Sequence, residues 1–276
     1  MRKKSYQVMI SDMITVFGET ILELRENEDG VFEKRIVGRG YETALALAKD
    51  GDFPLLITGI GQDPVGADIV TDLVEKEIMF DSDMAIMNIE SPVRISYLNG
   101  RKLEFIRNSS AMCVNGELLN LALSVHTDIK AVMLSNPTLS YNPVSFTYLD
   151  GASFLDPYPY ICLDAVEDVS TPVWDRMKEQ ALAISDIVRV DAEGREKIDS
   201  YKDILLVTGS DKVDVYRSGS AIGSFETSTD VSIRADFTAH VMKSLEKKGL
   251  LENAGKAEIA DTDILEAVEY ALKVIA

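Results

Sequence analysis

Asp236 stands where a polar stretch gives way to the amphipathic pattern Asp236 to Lys248. A carboxylate there is either the N-cap of the helix or, facing a cleft, a general base. Asp191 and Glu193 likewise sit at a helix start, as a solvated acid pair or as oxygen ligands for a hard cation. His126 and His240 are the only histidines, and neither has a partner at metal-ligand spacing. Cys113 and Cys162 lie far apart in apolar settings, so buried thiols are expected rather than a disulfide or a thiolate metal site. No Gly-x-x-x-x-Gly-Lys-Ser/Thr, His-Glu-x-x-His or Gly-x-Ser-x-Gly pattern occurs. The lone Gly59-x-Gly61 is too deep in the chain for a dinucleotide fingerprint. No zinc, haem or NAD is therefore expected.

Alternating strands and helices must position these groups. Ile14 to Phe17 reads as a buried strand, and Ile21 to Arg25 with Val31 to Val37 as a hairpin around Asn27-Glu-Asp-Gly30. Tyr41 to Lys49 and Val65 to Ile78 carry helical spacing, with a strand from Pro54 to Thr58 between them. Val93 to Tyr97 and Leu103 to Ile106 flank Asn99-Gly100, a second hairpin expected to pair with the first. Strands follow at Ala131 to Leu134, Ser153 to Leu155, Asp186 to Val190 and Leu205 to Thr208, with a helix over Val173 to Ile184. A third hairpin spans Val213 to Tyr216 and Ala221 to Phe225, and Thr262 to Ile275 is a closing helix. Such alternation implies a mostly parallel sheet covered on both faces.

With 276 residues, 46% hydrophobic and 27% charged, the composition is that of a globular protein able to bury a large core. One domain over 1–276 is expected, with lid segments at about 20–37 and 92–107 inserted in it. The net charge of -18 argues against a nucleic-acid partner. It also repels free ATP, so a nucleotide site would need local positive charge. No apolar run reaches membrane-spanning length, and the expected location is cytoplasmic.

The stretch Gly59-Ile-Gly-Gln-Asp-Pro-Val-Gly66, after the small-residue helix Ala44-Leu-Ala-Leu-Ala48, resembles the first signature of the ribokinase-like (PfkB) carbohydrate kinases. Glu104-Phe-Ile-Arg-Asn-Ser-Ser-Ala111 is similar to the Tyr-Arg-x-x-Ser-Ala segment of fructokinase-type members. Phe154-Leu-Asp-Pro157, Asp186-Ile-Val-Arg-Val190 and Val207-Thr208 with Tyr216 fall in the family's order. The resemblance covers nearly the whole chain. It implies an α/β, doubly wound, mostly parallel sheet with helices on both faces and a small β lid, and phosphoryl transfer from ATP to a sugar hydroxyl, with Mg²⁺.

The resemblance assigns Asp236 as the catalytic base and the preceding turn, Ile233, Arg234 and Ala235, to the phosphates. The family has glycines at Ile233 and Ala235, and Arg234 is a candidate phosphate ligand. Ser210-Asp-Lys212-Val replaces a Gly-x-x-Gly that lines the nucleotide, and Asp191-Ala-Glu193-Gly replaces a Ser-x-Glu-Glu that helps hold Mg²⁺ through water. On the sugar side stand Glu23, Gly38 (with Val37 in place of its paired glycine), Glu42 in place of an Asn, and Arg107 at the lid exit. Asp63 in the Gly-x-Asp turn is expected as a turn-stabilising Asx residue, the alternative being a ligand. Asp156-Pro-Tyr-Pro-Tyr160 replaces Asp-Pro-Asn-x-Arg, leaving Asp156 beside the substrate and Tyr158 and Tyr160 as packing groups.

The expected function is a carbohydrate kinase acting on a small sugar or sugar acid. The alternative is a catalytically impaired kinase-fold protein that binds a sugar-like ligand or a protein partner, because the departures cluster at the phosphate end. A homodimer through the lid strands is expected, since a small sheet with an apolar face and free edges seeks cover.

Overall fold

The computed structural model describes residues 13–82, 85–86, 88–126, 128–155, 158–166, 171–232, 234–252 and 259–276. It begins β1 (Met13–Phe17), β2 (Ile21–Glu26), β3 (Phe32–Val37), α1 (Arg39–Lys49), β4 (Leu55–Ile57), β5 (Ile60–Gly61), α2 (Pro64–Glu75), β6 (Met79–Phe80) and β7 (Ala85–Ile86). The hairpin β8 (Val93–Ser96) and β9 (Lys102–Phe105) precedes α3 (Gly116–Ser124), β10 (Ile129–Ser135), α4 (Asn136–Leu139), α5 (Val144–Ser153), β11 (Tyr160–Asp164) and α6 (Pro172–Ile184). Then come β12 (Ile187–Asp191), α7 (Ala192–Glu196), β13 (Ile204–Thr208), β14 (Lys212–Arg217), β15 (Ser220–Glu226), α8 (Asp236–Lys247) and α9 (Asp261–Ile275).

Among the described residues, nine strands form the main sheet in the order β15-β14-β13-β12-β11-β10-β1-β4-β6, with antiparallel pairing only at β13-β14-β15. Side chains alternate between two cores, as strands buried on both faces require. From β1, Ile14 and Val16 join the side packed by Leu47, Phe237 and Val268, whereas Met13 and Phe17 join the side packed by Leu119, Tyr148 and Met177. Helices α1, α8 and α9 thus cover one face, and α3, α5 and α6 the other.

The two early hairpins combine into a separate four-stranded sheet, β3-β2-β8-β9, in which β2 and β8 run parallel. This is the expected lid. Its register aligns Arg35, Glu23, Arg94 and Glu104 in one row across all four strands, a ladder of alternating charge.

One expected strand is the end of a helix and the turn after it. The alternation of strands and helices leads to a strand over Ser153 to Leu155, but Val144, Tyr148, Leu149 and Ala152 are buried at helical spacing and carry α5 through Ser153. Phe154 is 82% exposed. The strand beside β10 is β11, seven residues downstream of Ser153 at its start, and it ends on Asp164. Helices α3, α5 and the one-turn α4 and α7 lay outside the strands and helices expected with bounds.

Candidate active site

The carboxyl ends of β10, β11 and β12 bring Ser135, Asp164 and Arg189 side by side. Asp164 Oδ2 accepts from Arg39 Nη2 at 2.8 Å, Arg189 Nη1 at 3.2 Å and Thr238 Oγ1 at 2.9 Å. Arg39, Asp164, Arg189 and Thr238 are all buried. The fully buried guanidinium of Arg189 is tolerable there because its other donors also find acceptors. Arg189 reaches the carbonyl of Arg234 at 2.5 Å, the carbonyl of Val231 and Thr208 Oγ1, and it lies over the Phe237 ring. Burial pulls its pKa below the usual arginine value, with the charge of Asp164 working against that.

A second buried carboxylate joins the strand edge to the first turn of α1. Glu19 accepts from the Arg39 backbone N–H at 2.8 Å and from Thr138 Oγ1 at 2.5 Å. Gly38 makes this junction possible: its φ is +126°, and an added Cβ would lie 2.5 Å from the Glu19 carbonyl oxygen.

Above the buried group, Asp236 opens α8 with Ala235 in the cap position. Arg234 grips its side chain through both nitrogens of one edge, Nε to Oδ1 at 2.9 Å and Nη2 to Oδ2 at 2.5 Å. Both residues are about one-third exposed. Burial alone would raise the Asp236 carboxyl, but the hydrogen bonds and charge of Arg234 hold it below the ordinary aspartate value. The third nitrogen, Arg234 Nη1, donates to the carbonyl of Ile275 at 3.0 Å. Ile233 and Asp156 lie outside the described residues.

Glu23 is engaged within the lid. It is 3% exposed and accepts from Ser96 Oγ at 2.6 Å and from Arg35 Nε at 2.5 Å. Burial raises its carboxyl, yet these two partners bring it below the ordinary glutamate value. Glu42 is exposed, and the charges of Glu19, Arg39, Arg35 and Arg94 act on it. Desolvation lifts its carboxyl above the ordinary range, with Arg39 countering. Along the lid exit runs a cleft of about 790 Å³ that Arg107, Glu104, Tyr141, Asp63 and Thr171 help line. Arg107 is exposed and, among the described residues, forms no ion pair. Burial pushes the Tyr141 hydroxyl up to about 12, with Glu19 and Glu104 adding to the shift.

The remaining sequence candidates are mostly structural. Asp63 caps α2 through Gly66 N at 2.6 Å and also holds Ser91 N and Oγ. Gly66 itself admits no Cβ, which would fall 1.8 Å from the Gly61 carbonyl oxygen. Asp191 accepts from Gly194 N at 2.5 Å as the cap of α7, with exposed Glu193 in the first turn. Lys212 pairs with Asp214 at 2.7 Å, and Ser210 is exposed in the same turn. His240, one turn beyond Asp236 on α8, pairs with Asp50, and His126 pairs with Asp81. Tyr158 donates to the Ile184 carbonyl, and Tyr160 is buried at the start of β11, as packing groups. Among the described residues, no group of three His, Cys, Asp or Glu could hold a metal ion, and no helix is long and apolar enough to cross a membrane.

Glu19, Arg39, Asp164, Arg189 and Thr238 escaped the sequence reading. Arg189 carried a signal: a charged residue inside the otherwise apolar strand Ile187-Val-Arg-Val190 is rarely buried without partners.

No family model matches the sequence, and no curated protein matches it. Solved structures do match. An uncharacterized sugar kinase from Pyrococcus horikoshii aligns with a TM-score of 0.77 at 16% identity, covering 96% of this chain and 91% of that one. A fructokinase from Xylella fastidiosa with bound ATP aligns at 0.77 and 13% identity, over 96% and 92%. An aminoimidazole riboside kinase from Salmonella enterica, complexed with aminoimidazole riboside and an ATP analog, aligns at 0.73 and 14%, over 95% and 91%. The chain has the ribokinase-like fold of the PfkB sugar kinases.

Proposed function

We propose that this chain is a carbohydrate kinase that moves the γ-phosphate of ATP onto a hydroxyl of a small sugar or sugar acid bound beneath the lid. The observation that carries the reading is the position of Asp236. It is a half-buried carboxylate in the first turn of α8, above the carboxyl ends of the central strands, where ligands of open α/β sheets bind. In this reading Asp236 accepts the hydroxyl proton while the helix N-terminus and Ala235 receive phosphoryl oxygens. In the same reading Arg234 takes up phosphate charge, and Arg107 and Glu42 contact the substrate. Phosphoryl transfer asks for positioning and charge neutralisation rather than covalent catalysis, so this set is sufficient in kind.

Mg²⁺ would supply further neutralisation of phosphate charge. The described residues do not form a cage for it: Asp191 is occupied in capping and Glu193 is a single exposed acid. Any contact from that pair is through water, with the ion arriving on the nucleotide.

The second reading, a kinase-fold protein that binds a sugar-like ligand or a protein partner without efficient turnover, is favoured by the Arg234 grip. A carboxylate bound at both oxygens by a guanidinium is a weak base until that pair opens. Calorimetry with Mg-ATP and a panel of neutral sugars and sugar acids, followed by a phosphorylation assay, separates the two. Binding with turnover that Asp236→Asn abolishes supports the kinase; ligand binding without turnover supports the second reading.

The exposed Phe32, Leu98 and Phe105 of the lid support a homodimer through those strands. A monomer by light scattering at micromolar concentration contradicts it.

A further inference from the structure

The turn before α8 lacks the glycines that the resemblance leads one to expect, yet its carbonyls converge on one buried side chain. Arg189 is 0% exposed and directs four interactions at this turn and its support: the Arg234 carbonyl at 2.5 Å, the Val231 carbonyl, Asp164 Oδ2 at 3.2 Å and Thr208 Oγ1 at 3.3 Å. The face of its guanidinium is closed by Phe237, the second residue of α8, with the ring centroid 5.1 Å away.

In a trans peptide the carbonyl and the following N–H point in opposite directions. Fixing the Arg234 carbonyl inward onto Arg189 therefore turns the Ala235 N–H outward, away from the buried guanidinium. Among the described residues that N–H donates to no acceptor. We propose that Arg189 is the positioning residue of this turn: a built-in cation that gathers the carbonyls on the inner side so that backbone N–H groups at the start of α8 face the crevice and receive an anionic phosphoryl group. The proposal rests on the kinase reading for its ligand. It replaces glycine flexibility with a buried set of hydrogen bonds as the source of the turn's shape.

The test uses the full chain, with Arg189→Lys and Arg189→Ala. Lysine keeps the charge but offers a single ammonium, which cannot span both carbonyls and Asp164 in the guanidinium's planar geometry. Mg-ATP affinity is measured by calorimetry, and amide hydrogen exchange at Arg234 to Phe237 is measured in the unliganded proteins. Both variants are expected to bind Mg-ATP about ten- to a hundredfold more weakly, the range for losing a hydrogen bond to a charged group. Exchange in the turn is expected to rise, and guanidinium at a non-denaturing concentration should restore Arg189→Ala where sodium chloride of equal ionic strength does not.

Wild-type affinity in Arg189→Lys overturns the proposal. So does a loss of stability with turn exchange unchanged and no response to guanidinium. If Arg189→Ala does not fold, the lysine variant decides. If the wild-type protein binds no Mg-ATP, the kinase reading fails by itself, and exchange still judges Arg189: unchanged rates overturn its positioning role, and faster, guanidinium-reversible rates support it.

Discussion

Arg234 closes on Asp236 two residues away, bridging both carboxylate oxygens at 2.9 and 2.5 Å. The pair joins the carboxylate proposed as the base to a cation of the turn that precedes it. Its consequence is a pH dependence with a definite sign. Arg234 keeps Asp236 ionised to lower pH than an ordinary aspartate. Arg234→Ala is therefore expected to move the acid limb of the kcat/KM profile to higher pH, because the freed carboxyl takes up its proton more readily. An acid limb that stays in place would mean that the pair is already open in the active complex.

Glu23 is a lid strut in this structure, with both oxygens occupied by Ser96 and Arg35. Glu23→Gln is expected to cost about 1–3 kcal/mol in urea unfolding at neutral pH, since it weakens two hydrogen bonds of a buried group. The folded-state pKa of Glu23 is depressed. Its contribution is thus present above the unfolded value of about 4.3 and lost as pH falls through the folded value. The variant should accordingly lose less stability than wild type on acidification through that window. Unchanged stability combined with lost ligand binding would make Glu23 a substrate contact instead.

Gly66 and Gly30 differ sharply in what they tolerate. Gly66→Ala puts a Cβ 1.8 Å from a backbone oxygen, and is expected to destabilise by about 3 kcal/mol or more. Gly30→Ala, at φ +74° with nothing within 4 Å, should cost about 1 kcal/mol, from backbone strain alone. Equal midpoints in thermal unfolding would contradict the close approach of Gly61 and Gly66.

Arg107 has a different profile. It is exposed on the cleft and pairs with no described residue, so Arg107→Ala should change stability by less than about 0.5 kcal/mol. Its effect is expected in ligand affinity, larger for sugar acids than for neutral sugars, read by thermal shift over a ligand panel. A loss that is the same for both classes would argue against a direct charge contact.

Most of the architecture could be read from periodicity because the strands are buried on both faces and the helices are amphipathic. Ile14 to Phe17, Leu205 to Thr208 and the helix from Asp236 declare themselves within a residue or two. The failure at Ser153 to Leu155 has a local cause: α5 ends there with an apolar pair, exposed Phe154 and partly buried Leu155, and the true strand, Tyr160-Ile-Cys-Leu-Asp164, follows a Pro-containing stretch that resembled a motif. That displacement hid Asp164. The buried charges were less legible for a deeper reason. Arg39, Asp164 and Arg189 come from three distant segments, and only the strand order β1-β10-β11-β12 brings them together. Asp236, by contrast, could be located by its helix start, but its grip by Arg234 is a side-chain conformation that spacing does not encode.

The most direct test of the account is phosphoryl transfer from Mg-ATP to a sugar panel by wild type and Asp236→Asn at neutral pH. The account predicts turnover of at least one sugar or sugar acid by the wild type and a fall of about a hundredfold or more in the variant, with ATP binding retained. Ligand binding by a wild-type protein that transfers no phosphate, or equal turnover by the two proteins, would contradict it.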